Sequence, residues 1–428
     1  MESTVGLGRI AREWLRIGCI GFGGPPAHIA LLRKLCVERE GWLSAEEFED
    51  GVATTNLLPG PASTQLAIYC AWRLGGPAGA LIGGACFIGP GLVVILGLSA
   101  LFLASHPPLW VAGAAAGAGA AVPAVAAQAA LSLAPASWRR ASAGPAVGGP
   151  AVGGQATAGQ ATAGQATVSP ASGGAIGLDR ARHRWVAYLV IGAVVAALAG
   201  PYLVFALAAC GLTELVVRTG GPARDSAGPR AIPGLPLALA APFAALAAGT
   251  LLSVAWVAFK VGALSYGGGF VIIPLMQHDV VHTYHWMTGG QFLSAVALGQ
   301  VTPGPVVQTV AVVGYAAAGV PGGLLASFVA FTPSFIFVLV GAPRFAALRR
   351  SQRVQAFLTG AGPAAIGAIA GSTIPLALAL SHLWQAAVLG LALVALVVAR
   401  RNVAVAIVGA AALGIIAALA GAPIGQAA

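Results

Sequence analysis

Charge is what this chain has least of. Only 8% of its 428 residues are Asp, Glu, Lys or Arg, against about a quarter in an ordinary soluble domain. Hydrophobic residues make up 58% and the mean hydropathy is +0.87. That balance excludes a soluble globular domain, and several apolar runs reach the roughly 18 residues that a membrane-spanning helix needs. Cysteine is also scarce: Cys19, Cys36, Cys70, Cys86 and Cys210 show no CxxC or metal-ligand spacing and read as packing residues. The chain has no HExxH, nucleotide-binding loop or GxSxG, so those enzyme classes have no foothold, and no metal or cofactor is expected. The net charge of +10 does not point to nucleic acid, because the Lys and Arg lie between the apolar runs, where cytoplasmic loops carry them. The N-terminus does not read as a signal peptide. Arg9, Arg12 and Arg16 share one helical face, largely opposite Leu7, Ile10, Trp14 and Ile17, which predicts a helix lying at the membrane interface.

Glycine and proline, by contrast, are abundant and ordered. Gly21-Phe22-Gly23-Gly24-Pro25-Pro26 is followed by Asn56-Leu57-Leu58-Pro59-Gly60-Pro61-Ala62-Ser63-Thr64-Gln65. Each has an echo 244 residues on, in Ser265-Tyr266-Gly267-Gly268-Gly269-Phe270 and Gln300-Val301-Thr302-Pro303-Gly304-Pro305-Val306-Val307-Gln308-Thr309. The same frame pairs Gly18 with Gly262, Trp42 with Trp286, Phe48 with Phe292, Gly75 with Gly319 and Pro77 with Pro321. This is an internal duplication whose best-kept residues shape the backbone.

The expected fold is an all-α polytopic membrane protein of two repeats. Each repeat has two helical elements broken at Gly and Pro (5–40 and 45–72; 260–283 and 289–316), then full spans. The chain divides into a first-repeat core (1–133), a low-complexity cytoplasmic linker (134–183), the last spans of the first repeat (184–218), a connection (219–236) and a second repeat with an extra leading span (237–428). The linker carries Gly154-Gln155-Ala156-Thr157-Ala158 and its repeats, a composition that builds no packed core.

Charge placement sets the expected topology. Arg33, Lys34, Arg39, Arg73 and the linker arginines mark one side of the first half, while 104–110 carries none. In the second half the bias swaps: Gln277 to Gly290 has no Lys or Arg, and Arg344, Arg349, Arg350 and Arg353 crowd the counterpart of 104–110. Re-entrant hairpins that return to their own side, with the run 237–259 crossing once, put every basic loop in the cytoplasm and invert the second repeat. The N-terminus is then cytoplasmic and the C-terminus outside.

Broken helices at membrane depth are tolerated where they are buried or line a cavity, and paired breaks in inverted halves point to a transporter's substrate site. Kinking of packed helices is the plainer reading for any one motif, less readily for four in two matched pairs. Helices starting after Pro59-Gly60-Pro61 and Pro303-Gly304-Pro305 aim free N–H groups at an anion. Thr302 is a candidate N-cap. Asn56, Ser63, Thr64, Gln65, Ser265, Gln300, Gln308 and Thr309 supply neutral polar groups beside the backbone of Gly23, Gly24, Pro25, Gly267, Gly268 and Gly269. Arg16 and Lys260, matched in the same frame, form a candidate cationic pair, with snorkelling the alternative for Lys260. Glu47, His278 and Asp279 are candidates for proton coupling, although Glu46, Glu47, Glu49 and Asp50 also suit a solvated helix start. These residues reach only an oxyanion or other small anion.

Gly-Phe-Gly-Gly-Pro, Leu-Pro-Gly-Pro-Ala-Ser-Thr-Gln-Leu and the Tyr-Gly-Gly-Gly-Phe…Thr-Pro-Gly-Pro-Val of the second half resemble the chromate ion transporter family in its long, two-domain form. The resemblance covers both halves but not the linker. It implies a secondary transporter exporting chromate, a tetrahedral dianion shaped like sulfate, across the bacterial cytoplasmic membrane, with chromate resistance as the result. Sulfate or other oxyanion uptake or exchange is the alternative within transport. An intramembrane lipid-phosphate enzyme would use the same helix ends but needs a base that the spans do not offer. The expected partners are an oxyanion and the lipid bilayer, with no nucleic acid; oligomeric state stays open, a homodimer included.

Overall fold

The computed structural model describes residues 5–56, 58–104, 106–142, 174–198, 202–219, 249–265, 272–342, 345 and 351–424. Among them there are fourteen α-helices and no strand. The first half contains α1 (Leu7–Ile20), α2 (Pro25–Arg33), α3 (Ala45–Thr55), α4 (Ala62–Phe102), α5 (Leu109–Ser142), α6 (Gly174–Leu198) and α7 (Leu203–Thr219). The second contains α8 (Thr250–Leu264), α9 (Ile272–Gln277), α10 (Gly289–Val301), α11 (Thr309–Gly341), α12 (Gln352–Leu378), α13 (Leu383–Leu393) and α14 (Val403–Leu419). Among the described residues, five stretches are long and apolar enough to cross a membrane: Ala62–Phe102, Leu109–Arg139, Asp179–Leu198, Val306–Gly341 and Gln352–Leu378.

The duplication extends to local devices. α2 runs on as a π turn at Lys34–Arg39, and α9 as a π turn at His278–Thr283. Ser44 and Glu47 form a capping box at the start of α3, and Thr288 and Gln291 form the same box at the start of α10. In each, a hydroxyl and a carboxylate or amide satisfy two N–H groups that the first turn leaves bare.

α4 and α11 are hairpins. Gly76 (φ 60°, ψ −154°) folds α4 into limbs 62–74 and 77–102, and Gly319 (φ 64°, ψ −154°) does the same to α11. The limbs touch backbone to backbone, Gly79 against the carbonyl of Ala71 and Gly314 against that of Gly322. Here the repeats slip by one residue: the sequence frame pairs Gly75 with Gly319, but the turn conformation pairs Gly76 with Gly319. The 3₁₀ turn at Val306–Gln308 accounts for it. Three residues rising about 2.0 Å instead of 1.5 Å gain about 1.5 Å, one residue of α-helix. Gln65 is therefore the equivalent of Gln308.

The broken elements of the first repeat return to the side they came from. An ion pair joins Arg9 on α1 to Glu40 beyond α2, and another joins Glu47 at the start of α3 to Arg73 at the end of the first limb of α4. The repeats are inverted. The second limbs of α4 and α11 run antiparallel, with Gly84 under the ring of Phe335 at one end and Leu96 against Gly323 at the other. Beyond them the halves clasp each other. Gly113 and Gly117 of α5 lie on Gly414 of α14, while Gly367 and Gly360 of α12 lie on Leu189 of α6 and Cys210 of α7. Lipid is as apolar as leucine, so such close small-residue contacts, more than apolar burial, hold helices together in a bilayer.

Three expectations need correcting. α1 does not leave its apolar face to lipid: Ile10, Trp14 and Ile17 are buried, and the Trp14 indole N–H donates to the carbonyl of Ala67 on α4 (2.8 Å). The stretch expected as linker is helical at both ends, over 134–142 and 174–183, because Trp185 donates to Ser137 (3.0 Å) and packs edge-on to Trp138 (5.0 Å). Residues 143–173, with the Gln-Ala-Thr repeats, lie outside the described residues. The run 237–259 does not end where the broken element was expected to begin. From Thr250 it is the body of α8, continuous to Leu264 and placed as α1 is in the first half, while 237–248 lie outside the described residues.

Candidate functional site

The breaks of one repeat meet those of the other. Gly60, between α3 and α4, donates its backbone N–H to the carbonyl of Ser265, just past α8 (2.6 Å). Gly304, between α10 and α11, donates to the carbonyl of Gly21, just past α1 (3.0 Å). The two bonds are the same bond under the duplication. Both donors are held in left-handed backbone, φ 116° at Gly60 and 92° at Gly304, a region that residues with a Cβ avoid. Gly23 and Gly24 also take positive φ, and Pro25 then opens α2. Val306 lies against Gly24, which ties the first break to the start of α11. Gly267, Gly268 and Gly269 lie outside the described residues.

Around this crossing the protein buries polar atoms that it does not pair. Among the described residues, the hydroxyls of Thr64, Ser265 and Ser334, the Gln300 amide nitrogen and the Gln65 and Gln308 amide oxygens have no hydrogen-bond partner. All six residues are at least nine-tenths buried. Leaving such a group unsatisfied costs about 1–3 kcal/mol, so their gathering at one place asks for a polar guest. The amide nitrogens of Gln65 and Gln308 are spent on carbonyls, of Pro59 (2.6 Å) and Ile88 (2.7 Å), which turns their oxygens the other way. Three hydroxyls and one amide can therefore donate. The helix starts add more, since Pro61 and Pro305 stand at the cap positions and no side chain caps either helix.

His28, 0% exposed, ties the first break to the second. Its Nε2 bonds the carbonyl of Gly21 (2.9 Å), its Nδ1 meets the Ser63 hydroxyl (3.3 Å), and its ring stands edge-on to Phe87 (5.0 Å). The loop before α14 reaches the same break: a Cβ on Gly23 would lie 3.6 Å from the Asn402 amide, beside exposed Arg400 and Arg401.

Other residues singled out from the sequence fall elsewhere or take different roles. Thr302 is not an N-cap; it ends α10, its N–H bonded to Leu298 and its hydroxyl turned back to Gly299. The Thr309 hydroxyl is taken by the carbonyl of Val306 (2.9 Å), and Asn56 is exposed at the end of α3. Pro59, Pro61, Pro303 and Pro305 form the loops around Gly60 and Gly304. The Arg16–Lys260 pair does not stand free: Lys260 is ion-paired with Asp279 and lies over the Trp256 ring, and Arg16 is 3.9 Å from Glu13 with most of its side chain exposed. Asp279 and Glu47 thus hold cations, and His278 sits on the π turn beside Thr283 and His282. The sequence reading missed His28, Ser334 and buried Glu13, which Arg39 holds at 2.8 Å. His28 does leave a signal, an ionisable residue on an otherwise apolar helical face; Glu13 has Arg9 and Arg16 one turn away and reads as part of a charged face, and Ser334 leaves no signal.

Two inverted repeats whose broken helices meet inside an all-helical membrane protein have the architecture of a membrane transporter. The chain belongs to the chromate transporter family, whose sequence profile, described as "Chromate transporter", matches residues 8–215 and 252–415. The chromate transport protein of Cupriavidus metallidurans is 30% identical over 375 residues, covering 87% of this chain and 83% of that one. The chromate transport protein of Pseudomonas aeruginosa is 29% identical over 371 residues, covering 85% and 80%. No solved structure matches.

Proposed function

We propose that this chain is a secondary active transporter that exports chromate from the bacterial cytoplasm. One observation carries the reading: the reciprocal Gly60–Ser265 and Gly304–Gly21 bonds bring two uncapped helix starts together with unpaired, buried hydrogen-bond donors. The oxyanion sits between the starts of α4 and α11 and takes hydrogen bonds from Thr64, Ser265, Ser334 and Gln300. A hydrogen bond to a charged group is worth about 1.5–3 kcal/mol, so a few neutral donors hold a dianion without the trap that a buried lysine would set. Arg400 and Arg401 raise the local anion concentration at the first break. Rocking of one repeat against the other exposes the site to each side in turn, and the placement of the basic loops supports a cytoplasmic N-terminus. The names of the two relatives and the family's printed description supply the choice of chromate.

The test is uptake of radiolabelled chromate into everted membrane vesicles, with an imposed voltage. Vesicles carrying the protein are expected to accumulate chromate above those without it, and host cells to grow at chromate levels that stop the empty strain. Equal accumulation in both kinds of vesicle would discard export of chromate.

A further inference from the structure

Among the described residues, His28 is the one ionisable side chain of the groups that knit the crossing together, and its counterpart 244 residues on is Ile272. The carbonyl of Gly21 can only accept, and it already takes the N–H of Gly304 (3.0 Å). The bond from His28 Nε2 to that carbonyl therefore places a proton on Nε2. In the neutral ring Nδ1 is then a bare acceptor, and the Ser63 hydroxyl must spend its hydrogen on it. A proton taken up at Nδ1 reverses that bond: the ring donates, Ser63 Oγ accepts, and the Ser63 hydrogen is freed to turn elsewhere. Ser63 is the second residue of α4, on the turn that no side chain caps.

We propose that His28 is the proton-linked group of the transport site, its protonation adding one hydrogen-bond donor and one positive charge where the anion sits. The idea rests on the reading of the crossing as an oxyanion site. Histidine is the side chain whose charge changes near neutral pH, and linkage makes the effect mutual: bound anion favours the proton as much as the proton favours the anion. The step moves one proton from solvent to Nδ1 and alters no bond of the anion.

No other charge competes for the imidazole among the described residues. α1 carries Arg9, paired with Glu40, Glu13, engaged with Arg39, and the exposed Arg12, Arg16 and Cys19; α2 itself has only Arg33 at its far end. The first limb of α4 has Tyr69 and Cys70, and Arg73 at its far end; the second has no charge and one titratable group, Cys86. Arg400 and Arg401 stand on the loop beside Gly23, and Lys260 and Asp279 answer each other. None of these is a hydrogen-bond or ion-pair partner of His28.

The experiment is equilibrium binding of chromate to the purified full-length protein between about pH 5.5 and 8, the span over which an imidazole titrates. It is run on the wild type, His28→Gln and His28→Ile, the last copying the second repeat. Chromate's own protonation contributes equally to all three, so the difference in slope reads His28. Wild-type affinity is expected to fall with rising pH more steeply than that of either variant, by up to about tenfold per pH unit, one linked proton. Ser63→Ala is expected to lose more affinity at the acid end than at the alkaline end. Equal slopes in wild type and both variants overturn the proposal while leaving chromate transport standing. Should neither His28 variant purify as monodisperse protein, wild-type binding enthalpies in buffers of different ionisation enthalpy decide it. Net proton uptake beyond what the anion's own protonation equilibrium accounts for supports the proposal, and none beyond it at any pH overturns it. A wild type that binds no chromate at all removes the transport reading, and this one with it.

Discussion

Gly60 and Gly304 hold equivalent places but not equal space. A Cβ on Gly60 would collide with the Gln65 amide, whereas one on Gly304 would first meet the Phe87 carbonyl at 3.7 Å. Gly304→Ala therefore carries only the left-handed backbone penalty of about 1–2 kcal/mol, while Gly60→Ala must also displace the group that holds Pro59. Vesicle transport is expected to survive in part in Gly304→Ala and to vanish in Gly60→Ala; equal loss in both would show that backbone strain alone decides. The sequence made these glycines legible because a break needs its residue type. It did not expose Ser334, whose hydroxyl enters the crossing from a long span of the opposite repeat, since such proximity depends on how the halves cross. His28 was readable only as an oddity on an apolar face.

Elements are pinned to one another by few but consequential contacts, and the Lys260–Asp279 pair is one, joining α8 to the π turn after α9. Both side chains are largely buried, so removing one partner leaves an unanswered charge, at about 3–5 kcal/mol, whereas replacing both with apolar residues is often neutral. Lys260→Met is expected to lower the detergent melting temperature, and Lys260→Met with Asp279→Leu to restore it. If the double variant melts no higher than the single one, the pair is not what joins these elements. The broken elements and their re-entrant return were legible at this scale, because Gly and Pro interrupt helices and loop arginines report sides. The slip of one residue between the repeats was not. It arises from the 3₁₀ start of α11, a choice made by packing, and side-chain identities in one frame do not register it.

At the scale of the whole molecule, inversion is the property that a covalent ruler can read. In a protein otherwise free of cysteine, cysteines replacing Gly84 and Phe335 are expected to join through a short bifunctional maleimide, and cysteines replacing Gly84 and Gly323 are not. The reverse outcome would mean that the second limbs of α4 and α11 run parallel. Swapped charge bias was enough to anticipate inversion, but not the grip of each half on the other. That depends on which faces of α5 and α12 carry their glycines, and both helices are rich in small residues nearly all round.

That grip has a consequence for biogenesis. The ribosome delivers α5 long before α14, so the Gly113–Gly117 groove of the first half waits for its partner until α14 emerges. The first half thus finishes packing only when the second has been made. A chain cut short just ahead of α14 loses more than a tail: it is left with an open seam in the part synthesised first.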